Sequence, residues 1–138
     1  HMYEKNITYI STAFVSILFI IILIKQTLNV FDKLFVIVLL ISHIFFYYSL
    51  YYNDNHIINI IHYTLFISLL LSIFVKNKYL LSICLSIIIF IQILWIICKE
   101  CILNRISYIE CGYGDLTSIM VLLLTIALSF KLGFIVKN

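Results

Sequence analysis

The chain has 138 residues, 64% of them hydrophobic and 11% charged, a net charge of +3 and a mean hydropathy of +1.19. An ordinary soluble domain carries about 25% charged residues, and one of this size would leave about a third of its chain surface facing water. The composition therefore excludes a soluble globular fold and points to a lipid bilayer as the solvent of most side chains. With no basic tail and no basic helix face, it also gives no reason to expect nucleic acid as a partner.

His1 and Met2 read as a cloning scar, and residues 3–138 as a single transmembrane domain. A hydrocarbon core about 30 Å thick needs about 20 apolar residues in a helix rising 1.5 Å per residue. Five runs of that length occur, at about 7–24, 34–52, 57–75, 79–98 and 117–136. The expected fold is all-α, a polytopic membrane helix bundle with short loops. The first run has no small-residue cleavage site behind it and reads as a retained helix. The breaks are polar: 25–33, 53–56, 76–78 and the longer 99–116. Short breaks place successive helices antiparallel. The chain has no proline, so no proline kinks are expected. Lys131 lies inside the fifth run and is expected to snorkel to the interface.

Lysine and arginine in short loops set orientation. Lys25, Lys33, Lys76, Lys78, Lys131 and Lys137 fall on one side of a five-span bundle, and Lys5, Lys99 and Arg105 on the other. The amino terminus is thus expected outside and the carboxyl terminus inside. Tyr47, Tyr48, Tyr51, Tyr52, Tyr108 and Tyr113 then fall at the outer interface, the depth that suits an apolar ring with a polar hydroxyl. Ser68 and Ser72 on the third run and Ser82 and Ser86 on the fourth are each four apart. Small residues at that spacing favour close helix approach, which predicts a tight hairpin of the third and fourth helices.

His43 sits at the middle of the second span, a depth at which a polar group needs a partner. The structural reading is a neutral histidine that staples two helices; the functional one is a proton relay or ligand site. His62 and Gln92 lie at matching depths, about 8 and 9 Å from the same end of their helices, which makes a hydrogen bond between them geometrically possible.

Cys98 and Cys101 form a C-x-x-C pair at a membrane boundary, with Lys99 between them to favour a thiolate. On an oxidising side they could exchange disulfides with Cys111. The pair resembles that of membrane thiol oxidoreductases of the vitamin K epoxide reductase type, helical bundles with such a motif at a helix end. The resemblance implies a quinone as electron acceptor; a second cysteine pair is missing here, because Cys84 lies deep in the fourth helix. Inert apolar cysteines are the alternative reading.

The segment at 109–116 contains Cys111-Gly112-Tyr113-Gly114-Asp115, with two of the chain's three glycines. It resembles the selectivity filter of potassium channels, in which backbone carbonyls replace the hydration shell of a monovalent cation. Glu110 and Cys111 stand where that family has Thr and Val or Ile. The resemblance implies 100–109 as a pore helix, 117–136 as the inner helix and a homotetramer, because one chain cannot close such a pore. The same residues also suit a tight polar turn between helices. Glu100, Glu110 and Asp115 put three carboxylates into this loop, for a cation or for water.

Three function classes follow: an ion-conducting or transport protein with its path at 111–115, a thiol oxidoreductase using Cys98 and Cys101, and a non-enzymatic scaffold or complex subunit. The residues point away from an enzyme more than towards one, and imply no resident metal.

Overall fold

The computed structural model describes residues 2–99, 101 and 116–138. Among them are five α-helices: α1 (Met2–Lys25), α2 (Val30–Tyr52), α3 (Asn55–Leu71), α4 (Lys78–Cys98) and α5 (Leu116–Lys137). A 3-10 turn (Ser72–Phe74) continues α3. All five are long and apolar enough to cross a bilayer, α3 when counted with its 3-10 turn. The protein is an all-α, multi-pass integral membrane protein. Large apolar side chains such as Ile10, Phe130 and Phe134 are about 70% exposed or more, which a lipid environment tolerates and water does not.

Most helices run past the apolar segments that announce them. Hydropathy marks the hydrocarbon-crossing part, whereas a helix continues as long as its backbone bonds close. α1 takes in the polar stretch at 3–6, and α2 starts at Val30 rather than inside the hydrocarbon. Asn29, Asp54 and Asn77 cap α2, α3 and α4. Each side-chain oxygen accepts a bond from the first turn, at 2.8 Å from the Asp32 N–H, 3.1 Å from the His56 N–H and 3.0 Å from the Tyr79 N–H. Asn53 ends α2 in the left-handed region (φ 55°), a conformation asparagine tolerates better than most residues.

The helices pack in the spatial order α3, α2, α1, α4, α5, and the 3-10 turn also reaches α5. We call the end with the amino terminus and the α2–α3 turn the N-face, and the opposite end the C-face. Polar and aromatic contacts join α1 and α2 in antiparallel register. Lys5 donates to Asn53, the Tyr47 hydroxyl donates to the Tyr9 carbonyl at 2.8 Å, and the two tyrosine rings stack at 5.6 Å. Gln92 Nε2 donates to Thr125 Oγ1 at 3.0 Å and so joins α4 to α5.

The C-face is organised by Asp32. This residue lies in a stretch that reads as a wet loop in the sequence, yet it is in the first turn of α2 and only 1% exposed. Its carboxylate accepts from the Asn77 N–H at 2.8 Å and from the Lys76 N–H at 3.2 Å. These groups belong to the connection that leads into α4, where N–H donors lack helical partners. The positive ends of the α2 and α4 dipoles favour a carboxylate here. Asn77 Nδ2 extends the cluster to Gln26 Oε1 at 3.5 Å. Lys131 donates to the carbonyl of Ile73, so its ammonium, expected to snorkel, ends on the 3-10 turn.

The expected α3–α4 hairpin is not formed: the two helices are joined in sequence but are not close neighbours along their lengths. All four serine hydroxyls donate to carbonyls of their own segment, Ser68 to Thr64, Ser72 to Leu69, Ser82 to Lys78 and Ser86 to Ser82. They therefore supply no hydrogen bond between helices. Asp32 holds the connection against α2, and α4 leaves it to pack on α1 and α5 instead.

Replacing Asp32 by Ala is expected to cost about 2–3 kcal/mol, because bonds to a charged acceptor are lost and buried N–H groups lose their partner. Lys76→Ala keeps the backbone N–H that Asp32 uses and is expected to stay within about 0.5 kcal/mol. Reversible unfolding in mixed detergent micelles checks the difference; equal losses would contradict it.

Candidate functional site

Because α3 and α4 stand apart, helices α1 to α4 surround a chamber of about 560 Å³. This is the size of a pocket for a small molecule, for which about 300–1,000 Å³ is usual. Its walls are mainly aliphatic and aromatic. Phe19, Leu39, Leu69, Ile83 and Ile87 line the part towards the C-face and the middle. Towards the N-face the lining includes Thr8, Ser11, His62, Trp95 and Cys101.

His43 lines the chamber about 14 Å along α2 from its N-face end. Its Nδ1 lies 2.8 Å from Ser16 Oγ on α1, and its ring stacks on Phe19 at 5.9 Å. The direction of this bond depends on where the single Ser16 hydroxyl hydrogen goes; we assign it to the Thr12 carbonyl, 2.7 Å away. Ser16 Oγ is then the acceptor and His43 Nδ1–H the donor. The neutral ring keeps a lone pair on Nε2. The histidine thus staples α1 to α2, as one of the two readings of its depth expects.

Six hydroxyls around the chamber donate within their own helices. Thr8, Ser11, Ser42, Thr64, Ser68 and Ser86 each donate to a carbonyl three or four residues earlier in their own helix. Their hydrogens are used inside the helices and their lone pairs remain. Hydroxyl groups in lipid take this route because an unsatisfied O–H in hydrocarbon is costly.

His62 and Gln92, whose matching depths allow a bond, do not pair. Gln92 turns to Thr125 on α5, while His62 Nε2 lies 3.8 Å from Cys101 Sγ. Matching depth places two residues at one level of the membrane, but the direction each faces around its helix decides whether they meet. Cys101 is 6% exposed and lines the chamber; Cys98, at the end of α4, is half-buried. Cys84 is a buried thiol towards the C-face, also on the chamber wall. Cys111, Gly112, Tyr113, Gly114 and Asp115 lie outside the described residues, as do Glu100, the 102–110 stretch and Tyr108. Among the described residues no cluster of three metal-ligating side chains occurs.

Three residues that matter here escaped sequence reasoning. Ser16 could have been found by matching its depth on α1 to that of His43. Trp95 is 7% exposed, lines the chamber, and its indole N–H has no acceptor among the described residues. Asp32 gave no signal, because a charge between two lysine-bearing helix ends looks solvated.

Comparisons with family models, with curated proteins and with solved structures give no match for this chain.

Proposed function

We propose that the protein binds a small membrane-soluble molecule in the chamber between α1 and α4. The observation that carries this reading is the chamber itself, about 560 Å³ of space walled by apolar side chains inside a membrane bundle. A ligand site is typically apolar with a few placed polar groups, and His43, His62 and Trp95 are groups of that kind. A ligand of the bilayer also avoids the desolvation that a water-soluble molecule would undergo on entering. The ion-path reading of Cys111 to Asp115 concerns residues outside the described ones, and the chamber does not bear on it.

A photoactivatable alkyl diazirine in nanodiscs tests the reading. Labelling of chamber positions such as Leu65 and Ile91 is expected to saturate, whereas labelling of exposed α5 positions such as Leu122 and Leu123 rises linearly with probe. Ile87→Trp fills the chamber and is expected to lower the saturable part about tenfold. Linear labelling at every position would contradict the proposal.

A second reading, a thiol redox enzyme using Cys98 and Cys101, is favoured by one contact. Cys101 Sγ and His62 Nε2 are 3.8 Å apart at the chamber wall. An imidazole beside a thiol can take its proton and leave the nucleophilic thiolate. Joining Cys98 and Cys101 in a disulfide releases two electrons and two protons, which reduce one quinone to a quinol, and an apolar chamber suits a quinone ring. On this reading His62→Ala slows maleimide alkylation of Cys101 about tenfold at neutral pH. A decyl-substituted benzoquinone also removes both thiols from labelling until a reductant is added. Unchanged alkylation in His62→Ala together with quinone-insensitive thiols would leave the redox reading without a basis.

A further inference from the structure

We infer that the ligand of the chamber carries a hydrogen-bond donor, a hydroxyl or an amine, which His43 Nε2 accepts. This rests on the proposal that the chamber binds a membrane-soluble molecule and adds the chemistry that would select it.

With its only hydroxyl hydrogen assigned to the Thr12 carbonyl, Ser16 accepts from His43 Nδ1. On that assignment the ring is the Nδ1–H tautomer with a lone pair on Nε2. No described group donates to this nitrogen. Phe19, stacked on the ring, contributes only carbon. An acceptor near the middle of a membrane span has strong reason to find a donor, since leaving it unpaired in hydrocarbon is costly.

Most hydroxyls of the lining share this bias, whereas the Trp95 indole N–H, towards the N-face, is a donor with no acceptor among the described residues. Six hydroxyl side chains around the chamber have used their hydrogens on their own helices and present only lone pairs. A carboxylate, an ether or an ester would meet acceptors at these positions. An alcohol or amine on an apolar body would meet partners. The charged side chains nearest in sequence to the two bonded residues, Lys25 on α1 and Lys33 on α2, lie at the C-face ends of their helices. Selection at His43 therefore rests on hydrogen bonding and not on charge. Lauryl alcohol and lauryl methyl ether separate the two kinds of ligand, because the ether keeps the oxygen and the chain and lacks the donor.

The experiment uses the full chain in nanodiscs and the saturable diazirine labelling of the chamber. Each compound is added as competitor, at concentrations corrected for its partition into the bilayer. Lauryl alcohol is expected to compete about 3- to 10-fold better than the ether, the effect of one net hydrogen bond. His43→Phe removes the acceptor and is expected to make the two equal while labelling persists. Ser16→Ala, a smaller change, frees the tautomer and is expected to reduce the preference without abolishing competition. Equal competition by alcohol and ether in the unmodified protein would overturn the inference, as expected if a water molecule occupies Nε2. A preference that survives both substitutions would overturn the assignment to His43. Absence of saturable labelling in the unmodified protein would instead remove the binding proposal on which the inference stands.

Discussion

The carboxylate of Asp32 fixes how this bundle is put together. A helix pair joined by a short turn ordinarily packs side by side, and α3 and α4 do not. Asp32 accepts the N–H groups of Lys76 and Asn77 and holds the connection against the start of α2. A carboxylate can be almost fully buried here because N–H donors and two helix dipoles face it. Gln26 and Lys131 add contacts around the same end. With the C-face closed this way, α4 lies on α1 and α5, α3 lies on α2, and the space between α3 and α4 becomes a chamber.

The α1–α2 seam gives that chamber its chemistry. Tyr9 with Tyr47, Ser16 with His43, and Phe19 with His43 set the two helices in register. The seam uses polar groups where lipid offers no hydrophobic force between helices. One product is a histidine with its donor side engaged and its acceptor side left over. Six hydroxyl groups bonded to their own helices add lone pairs to the lining, and the Trp95 indole adds one donor towards the N-face. The polar content of the chamber follows from satisfying each hydroxyl within its helix, as hydrocarbon requires.

Much of this architecture is legible in the sequence, because bilayer thickness fixes helix length and Asn or Asp at the breaks fixes several helix starts. The five apolar runs correspond to the five helices among the described residues, although α1 and α2 begin four or five residues before their runs, where polar residues remain helical. Lateral order is much less legible. His62 and Gln92 share a depth and face different partners, and the Ser68 and Ser86 faces line the chamber in place of a contact. Depth can be counted from a sequence, whereas rotation about a helix axis depends on all the neighbours at once. His43 could be identified as a candidate staple, and its partner Ser16 only by matching depth on α1 as well. Asp32 was hidden because burial of a charge near a helix end depends on a connection 44 residues away.

The claim that most depends on the structure is that the chamber holds a ligand, and native mass spectrometry of protein released from nanodiscs addresses it most directly. One apolar small molecule per chain is expected to be retained in the unmodified protein and lost in Ile87→Trp. Bare chains throughout, or the same adducts in both proteins, would contradict it.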